Sequence, residues 1–294
     1  MSPRTPFTTR FAPSPTGLLH KGHAFSALKA FEAARQAGGR FLLRIEDIDI
    51  TRCKPEFVDA IYEDLHWLGL EWEEPVRRQS EHFPDYHAAL NQLAERGHIY
   101  RCFKTRKEIM EDIARAPHHP GEGPDGVIYP GPAKPMSPDD EASRLDRGDA
   151  FAWRLSISAV KAELGDISRL SFVEEGEGPG GESGTLAIQP DLIGDVILGR
   201  KDVGTSYHLA VTLDDSLQGI THVIRGQDLF FATSVHRILQ ALLNLPAPLY
   251  RHHKLLTGKD GKRFAKRNKS QTLQAIRQSG VSAKTLRMQL GFNW

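Results

Sequence analysis

Over its first third the chain alternates strand and helix patterns, and that alternation restricts it to folds built on a parallel sheet. Residues 7–12 (FTTRFA) read as a short strand. After the turn PSPTG, positions 20–36 place Phe25, Leu28, Phe31 and Ala34 at helical spacing, and Gly38 and Gly39 end the segment. RFLLRI at 40–45 reads as a buried strand. The helix that follows carries Pro55 in its first turn, turns Val58, Ile61, Leu65 and Leu68 inward, and stops at Gly69. Strands separated by helices of this length pair in parallel, and such sheets take ligands beyond the carboxyl ends of their strands. The expected class is α/β.

The middle of the chain breaks the pattern. Thr105 and Glu108 form a T-x-x-E capping box for a short helix reaching about Arg115. Between Pro117 and Pro135 lie six prolines and four glycines in 19 residues, too many breakers for the interior of an element. Phe151, Trp153, Leu155 and Ile157 alternate as one face of a strand, and EEGEGPGGESG (174–184) reads as an acidic, glycine-rich excursion that stays mobile. Residues 101–190 are accordingly read as an inserted α+β module. It separates a first half of the sheet domain, 1–100, from a second half, 191–250. That second half holds the strands DLIGDVIL and ITHVIRG, a helix through Leu209, Leu213 and Leu217, and the helix LFFATSVHRILQALLNL. Residues 251–294 add a basic loop and two short helices.

The 294 residues suffice for one large or two moderate domains, and 39% apolar residues can supply a substantial core. With 38 Lys plus Arg against 37 Asp plus Glu, contact with nucleic acid requires uneven placement of charge, because there is no overall excess. Cys53 and Cys102 are too few for a disulfide framework or an all-thiolate zinc site, which fits a reducing compartment. The start has no signal-like apolar stretch and no run of 18 apolar residues occurs, so a soluble, cytoplasmic protein without membrane contact is expected.

The most specific motif is PSPTGLLHKGH at 13–23. It stands at a strand-to-helix junction, where free backbone N–H groups and the helix dipole favour phosphate. His20 and His23 can donate to phosphate oxygens, and Gly22 lets a flat base approach the backbone. A nucleoside triphosphate is the expected ligand. H-x-G-H alone could equally be two exposed histidines opening a helix; its place after the first strand favours the functional reading. From Arg251 to Lys269 there are eight Lys or Arg and one acid, Asp260. Alone, such a run is more often a solvated face or a nucleic-acid patch. Beside the histidine motif it reads as a loop that folds over the triphosphate, with Lys266 neutralising the departing pyrophosphate. No Walker pattern is present. Arg10, Glu46 in RIEDID and Arg225 in VIRG fall at expected strand ends, with Tyr207 able to add a hydroxyl. A ligand bearing both ammonium and carboxylate groups needs this mixture of charges in one cleft.

Together PSPTGLLHKGH, RIEDID, YHLAVTLDDSLQGITHVIRGQD and RFAKR resemble the class I glutamyl-tRNA synthetase catalytic core over nearly the whole chain. The resemblance implies the Rossmann-type parallel sheet of class I aminoacyl-tRNA synthetases, with an inserted α+β acceptor-type module and a short helical C-terminal part. HKGH stands where that family carries HIGH, and RFAKR (263–267) where it carries KMSKS; Arg263 replaces the first lysine and Ala265 the serine. By the same resemblance Arg10, Ala12, Ser14, Glu46, Tyr207 and Arg225 line a glutamate pocket. His20, Gly22, His23 and Lys266 serve ATP, which arrives with Mg2+, and His20, His23 and Lys266 are the catalytic set.

Only 27 residues follow Arg267, so no anticodon-reading domain is expected, and Leu229 stands where longer members often carry tryptophan. This shortness resembles the branch that joins L-glutamate to queuosine, the modified wobble base of tRNA(Asp), and implies activation without tRNA. Relatives often hold zinc through a C-x-C pair, a tyrosine and a further cysteine. Cys102 and Tyr129 remain here, but Lys104 and Ala133 stand at the other positions, and His118 and His119 read as surface residues, so no structural zinc is expected. Two rivals share some of these features. A small nucleotidylyltransferase would share H-x-G-H but not the RIEDID and VIRG pairing, and a non-catalytic tRNA- or glutamate-binding paralogue would explain the degenerate RFAKR loop.

Overall fold

In the computed structural model, which describes residues 6–115, 121–123, 126–132, 134–256 and 271–294, the first half of the sheet forms as the alternation predicts. Strand β1 (Thr8–Phe11) leads through the PSPTG turn into α1 (Lys21–Gln36), then β2 (Arg40–Ile45), α2 (Pro55–Trp67) and β3 (Glu73–Arg78). The three strands pair in parallel in that order. Helix α1 buries Leu28 together with Ala24, Ala27, Ala30, Ala33 and Ala34, small residues that let it lie close to the sheet. Phe25 and Phe31, part of the expected stripe, are only half-buried; Phe31 packs edge-on to Phe41 at 5.3 Å. Helix α2 buries Val58, Ile61, Leu65 and Leu68 as read from its period. Gly69, at φ +75, supplies the left-handed residue that ends it.

After β3 comes α3 (Phe83–Glu95), then β4 (Ile99–Cys102), α4 (Arg106–Arg115), the short pair β5 (Glu122–Gly123) and β6 (Gly126–Val127), α5 (Pro138–Asp146), β7 (Ala152–Leu155) and α6 (Ile157–Leu164). The Thr105 box opens α4: Thr105 N–H donates to Glu108 Oε2 at 2.7 Å, and Glu108 N–H to Thr105 Oγ1 at 3.3 Å. β7 is shorter than the alternating run, because Ser156 caps α6 and Ile157 already belongs to the helix.

Next come β8 (Ser171–Glu174), β9 (Gly184–Ala187), β10 (Ile197–Gly199), α7 (Tyr207–Leu217), β11 (His222–Gly226), α8 (Ala232–Leu242), β12 (Leu249–His253), α9 (Leu273–Gln278) and α10 (Ala283–Gln289). β7 pairs antiparallel with both β4 and β10. The segment 174–184, expected as a mobile excursion, is instead the turn of the antiparallel β8–β9 pair. It is pinned to β12 by Glu175 N–H on the Tyr250 carbonyl at 2.7 Å and Glu177 N–H on that of His252 at 3.3 Å. β8 and β9 lie within the stretch read as inserted, yet β8 joins β12 in parallel through Tyr250 and Glu174.

β11 and β12 are parallel, and the order in this second sheet is β11-β12-β8-β9. The two sheets meet at β1 and β11, where Thr221 N–H donates to the Thr8 carbonyl at 2.9 Å and Thr8 N–H to Thr221 Oγ1 at 2.8 Å. From β1 the chain winds outward to β2 and β3 on one side, and on the other to β11 and β12. That reversal makes a crevice at the carboxyl ends of β1 and β11, where open α/β sheets take their ligands. One core packs α1, α2, α9 and α10 about the first sheet, and a second packs α3, α7 and α8 about the rest.

Candidate active site

A cleft of about 460 Å³ opens at this crevice. Its walls include Arg10 and Ala12 from the end of β1, Glu46 just past β2, Arg225 from β11, Tyr207 from the start of α7, and His20, Gly22 and His23 from the start of α1. The sequence thus brings together eight of its ten candidate residues. Ser14 does not line the cleft: it is exposed, with its hydroxyl 4.0 Å from Cys53 Sγ. Lys266 and the rest of RFAKR lie outside the described residues.

The charged floor is built in layers. Arg10 grips Asp215 with Nε at 2.9 Å and Nη2 at 3.2 Å. The same carboxylate accepts from Arg44 Nη1 at 2.8 Å, and Arg44 Nη2 donates to Glu46 at 3.0 Å. Burial disfavours ionised Asp215, but the Arg10 and Arg44 guanidiniums outweigh it and hold its pKa below the ordinary value. For Glu46 burial wins over Arg44 and Arg10, and its pKa is raised. Burial also pushes the Tyr207 phenol up to about 12, so it enters the site as a neutral hydroxyl. The cleft therefore offers Arg10 and Arg225 to anionic groups and Glu46 to a cationic one. Arg44 and Asp215 were not singled out from sequence. The LDD doublet of α7 was in view, but its partners come from β1 and β2 and leave no local mark.

At the other end of the cleft the histidines organise the start of α1. His20 is the N-cap residue, and its Nδ1 accepts from Gly22 N–H at 3.1 Å; His23 Nδ1 accepts from His20 N–H at 3.1 Å. Both act as neutral acceptors at Nδ1, which places the proton of each ring on Nε2. The rings lie 3.8 Å apart between centroids. A Cβ on Gly22 would stand 2.9 Å from the His20 ring, so a side chain there would disturb the cap. Ser26 and His253 also line this end, hydrogen-bonded at 3.1 Å. The residues that flank 257–270 both reach this region. Leu255 and Leu256 line the cleft, and Thr272 pairs with His20 while Leu273 N–H donates to the Leu19 carbonyl at 2.8 Å.

Among the described residues, the donor set around Cys102 does not fit zinc. Cys102 and Tyr129 are buried with Ile109 and Ile113, the Lys104 ammonium is paired with Asp112, and Asp112 also accepts from the Tyr129 hydroxyl at 3.4 Å. One thiol beside a fixed cation lacks the ligands a structural zinc requires. Ala133, His118 and His119 lie outside the described residues, and among the described ones no group of three His, Cys, Asp or Glu could hold a metal.

Comparison with known proteins places the chain in a family. The model of the tRNA synthetases class I (E and Q) catalytic domain matches residues 6–157 and 181–291. A glutamyl-Q tRNA(Asp) synthetase of Rhodobacter capsulatus is 46% identical over 291 residues, covering 96% of this chain and 99% of the relative. One of the same name from Symbiobacterium thermophilum is 37% identical over 285 residues, covering 94% and 83%. Among solved structures, a glutamate tRNA ligase of Elizabethkingia meningosepticum in complex with its amino acid superposes with a TM-score of 0.71 at 26% identity, over 89% of this chain and 52% of that one.

Proposed function

Since the chain belongs to the class I tRNA synthetases for glutamate and glutamine, we propose that it activates L-glutamate with ATP and transfers the glutamyl group to queuosine in tRNA(Asp). The observation that carries this reading is the charge pattern of the cleft. Arg10 and Arg225 can pair with two carboxylates and Glu46 with one ammonium, beside a helix start that favours phosphate. An amino acid with a second carboxylate matches that set; a simple phosphorylated metabolite does not use Glu46.

In the first step an oxygen of the glutamate α-carboxylate attacks the α-phosphorus of ATP in line, and the bond to the β-phosphate oxygen breaks. His20, His23 and Lys266 stabilise the charge that builds on the phosphates. Mg2+ carried by ATP supplies further neutralising charge. Glutamyl-AMP and pyrophosphate result. In the second step a hydroxyl of the queuosine cyclopentene-diol attacks the activated carbonyl carbon, AMP leaves, and the hydroxyl proton is lost. No covalent enzyme intermediate is needed, and the first step proceeds without tRNA. A cytoplasmic location suits these substrates; among the described residues no helix is long and apolar enough to cross a membrane.

The test uses radiolabelled glutamate, ATP and two preparations of tRNA(Asp), one with queuosine and one with guanosine at the wobble position. Label is expected on the first alone. Label on both would reassign the acceptor, and absence of glutamate-dependent ATP–pyrophosphate exchange would leave a binding protein.

A further inference from the structure

The guanidinium of Arg225 is fully occupied by the protein before any ligand arrives. It has five N–H donors and no acceptor. Nε donates to His252 Nε2 at 3.0 Å, Nη2 to the Leu229 carbonyl at 3.1 Å and to Thr233 Oγ1 at 2.8 Å. Nη1 makes the two longest contacts, 3.3 Å to His236 Nδ1 and 3.5 Å to the Tyr207 hydroxyl. Nη1 is thus the corner a ligand carboxylate can claim, and the other three donors hold the group in place.

Behind the Nε contact lies a second buried pair. His252 sits opposite Arg225 in the β11–β12 register, and its Nδ1 is 2.5 Å from Glu174 Oε2 on β8. Neither side chain is exposed, and neither lines the cleft. The other oxygen of Glu174 accepts from the backbone N–H groups of His252 and Gly176, both at 2.8 Å. Burial works against that carboxylate, but these bonds outweigh it and keep its pKa below the ordinary range. A neutral imidazole carries one N–H and one acceptor. Since Arg225 Nε can only donate, His252 Nε2 must accept and the ring proton sits on Nδ1, facing Glu174. Burial, reinforced by the charge of Arg225 and only partly offset by Glu174, brings the His252 pKa down to about 4, so the ring stays neutral near pH 7.

We propose that Glu174 and His252 are positioning residues for Arg225. Glu174 selects the Nδ1–H tautomer of His252, and the resulting acceptor at Nε2 fixes the guanidinium so that Nη1 is presented to a glutamate carboxylate. The proposal rests on Arg225 being the arginine that receives that carboxylate. Three neighbouring strands then contribute one chain of carboxylate, imidazole and guanidinium that ends in the cleft, the arrangement by which an outer layer orients a ligand-binding group.

Glu174→Gln isolates the tautomer at constant volume. The amide oxygen must stay with the two backbone donors, so its NH2 faces His252 Nδ1. The ring can answer only by moving its proton to Nε2, against Arg225 Nε–H. His252→Gln, by contrast, keeps a carbonyl for Arg225 and an NH2 for Glu174, whereas His252→Leu keeps neither. In ATP–pyrophosphate exchange Glu174→Gln and His252→Leu are expected to raise the glutamate KM about tenfold, with the ATP KM within about twofold and His252→Gln within about threefold of the parent for both. In 15N-histidine NMR spectra, the ring assigned by its loss in His252→Gln should be protonated on Nδ1 in the parent and on Nε2 in Glu174→Gln. A parent ring protonated on Nε2, or equal rises in both KM values alongside a lowered melting temperature, would overturn the proposal. Arg225→Ala is measured in parallel. An unchanged glutamate KM there refutes the role of Arg225 itself, while the NMR result still decides whether Glu174 sets the tautomer.

Discussion

Beneath the cleft Arg44 is completely buried and donates three hydrogen bonds, to Asp215, Gln218 and Glu46; in the seam between α2 and α9 Asp64 is just as buried, and neither carboxyl oxygen has a hydrogen bond among the described residues. The nearest cation to Asp64 is Arg277, whose Nη2 stands 3.8 Å away. The two regions meet the cost of burying charge in different ways. Under the cleft the charges stay, because each is paired. Asp214 alone accepts from Arg77 at 2.8 Å, Gln79 at 2.8 Å and Tyr86 at 3.0 Å. In the seam burial prevails over Arg277 and lifts the Asp64 pKa to about 6, so below that pH the charge is given up by binding a proton, and above it the carboxylate is ionised at a cost to the fold. A site that must hold a charged metabolite cannot use the second solution, since its groups have to stay ionised and aimed while the ligand is absent.

That contrast is most open to attack at Arg44. Arg44→Met keeps bulk but takes from Glu46 its hydrogen-bonded guanidinium and leaves Asp215 with Arg10 alone, and breaking a buried pair from one side costs about 3–5 kcal/mol. Urea unfolding should show a loss of that order. A loss below about 1 kcal/mol would mean that water or rearrangement satisfies the partners and that the network is far looser than its distances imply.

Cations proposed to meet the substrates should separate function from stability. Lys266→Ala is expected to lower kcat for ATP–pyrophosphate exchange about 100-fold, the scale seen when one preorganised partner of a developing charge is removed. Its melting temperature should stay at the parent value. Unchanged kinetics would remove Lys266 from its role. Arg225→Ala should raise the glutamate KM roughly 30-fold and the ATP KM far less, because one ligand carboxylate loses its guanidinium. Equal losses for both substrates would make Arg225 a general support of the cleft.

The same contrast explains which parts of the molecule could be read from sequence. HKGH was legible because its work is local: a cap residue, a glycine and a second imidazole within one helical turn. Helix α2 was legible because one apolar stripe does all its packing. Helix α7 was only half legible. Its leucines marked a helix, yet Leu217 is 61% exposed while Asp214 is completely buried, because α7 turns its acids toward arginines from β1, β2 and β3. No period in a single segment encodes partners so far away in the chain. β3 (EEPVRR) and β12 (LYRHH) gave no apolar signal for the same reason: one borders the sheet, and the other is buried through Tyr250 and His252, whose polar atoms are met by other strands. Glu174 sat in a stretch that composition marks as solvated, and only its register with β12 makes it part of the core.

The seam carries the sharpest sign. In an unfolded chain an aspartate loses its proton near about 3.9. Asp64 keeps its proton in the folded seam until about pH 6. Between those values the folded state binds more protons than the unfolded one, so raising the pH favours unfolding. Below about pH 4 the carboxyl is protonated in both states and the penalty is absent; above about pH 6 it is ionised in both and the penalty is complete, roughly 3 kcal/mol. Asp64→Asn keeps the shape and removes the titration. Parent and variant should therefore unfold nearly alike at pH 4, and the variant should gain steadily until it is the more stable by roughly 3 kcal/mol at pH 7. Groups that titrate in both proteins away from the seam drop out of that difference, whereas Glu63 shares Arg277 with Asp64 and its charge helps to raise the Asp64 pKa. Parallel stability curves across pH 4–7 would show that Asp64 is ionised and paired after all, and the seam would then bury its charge in the same way as the cleft.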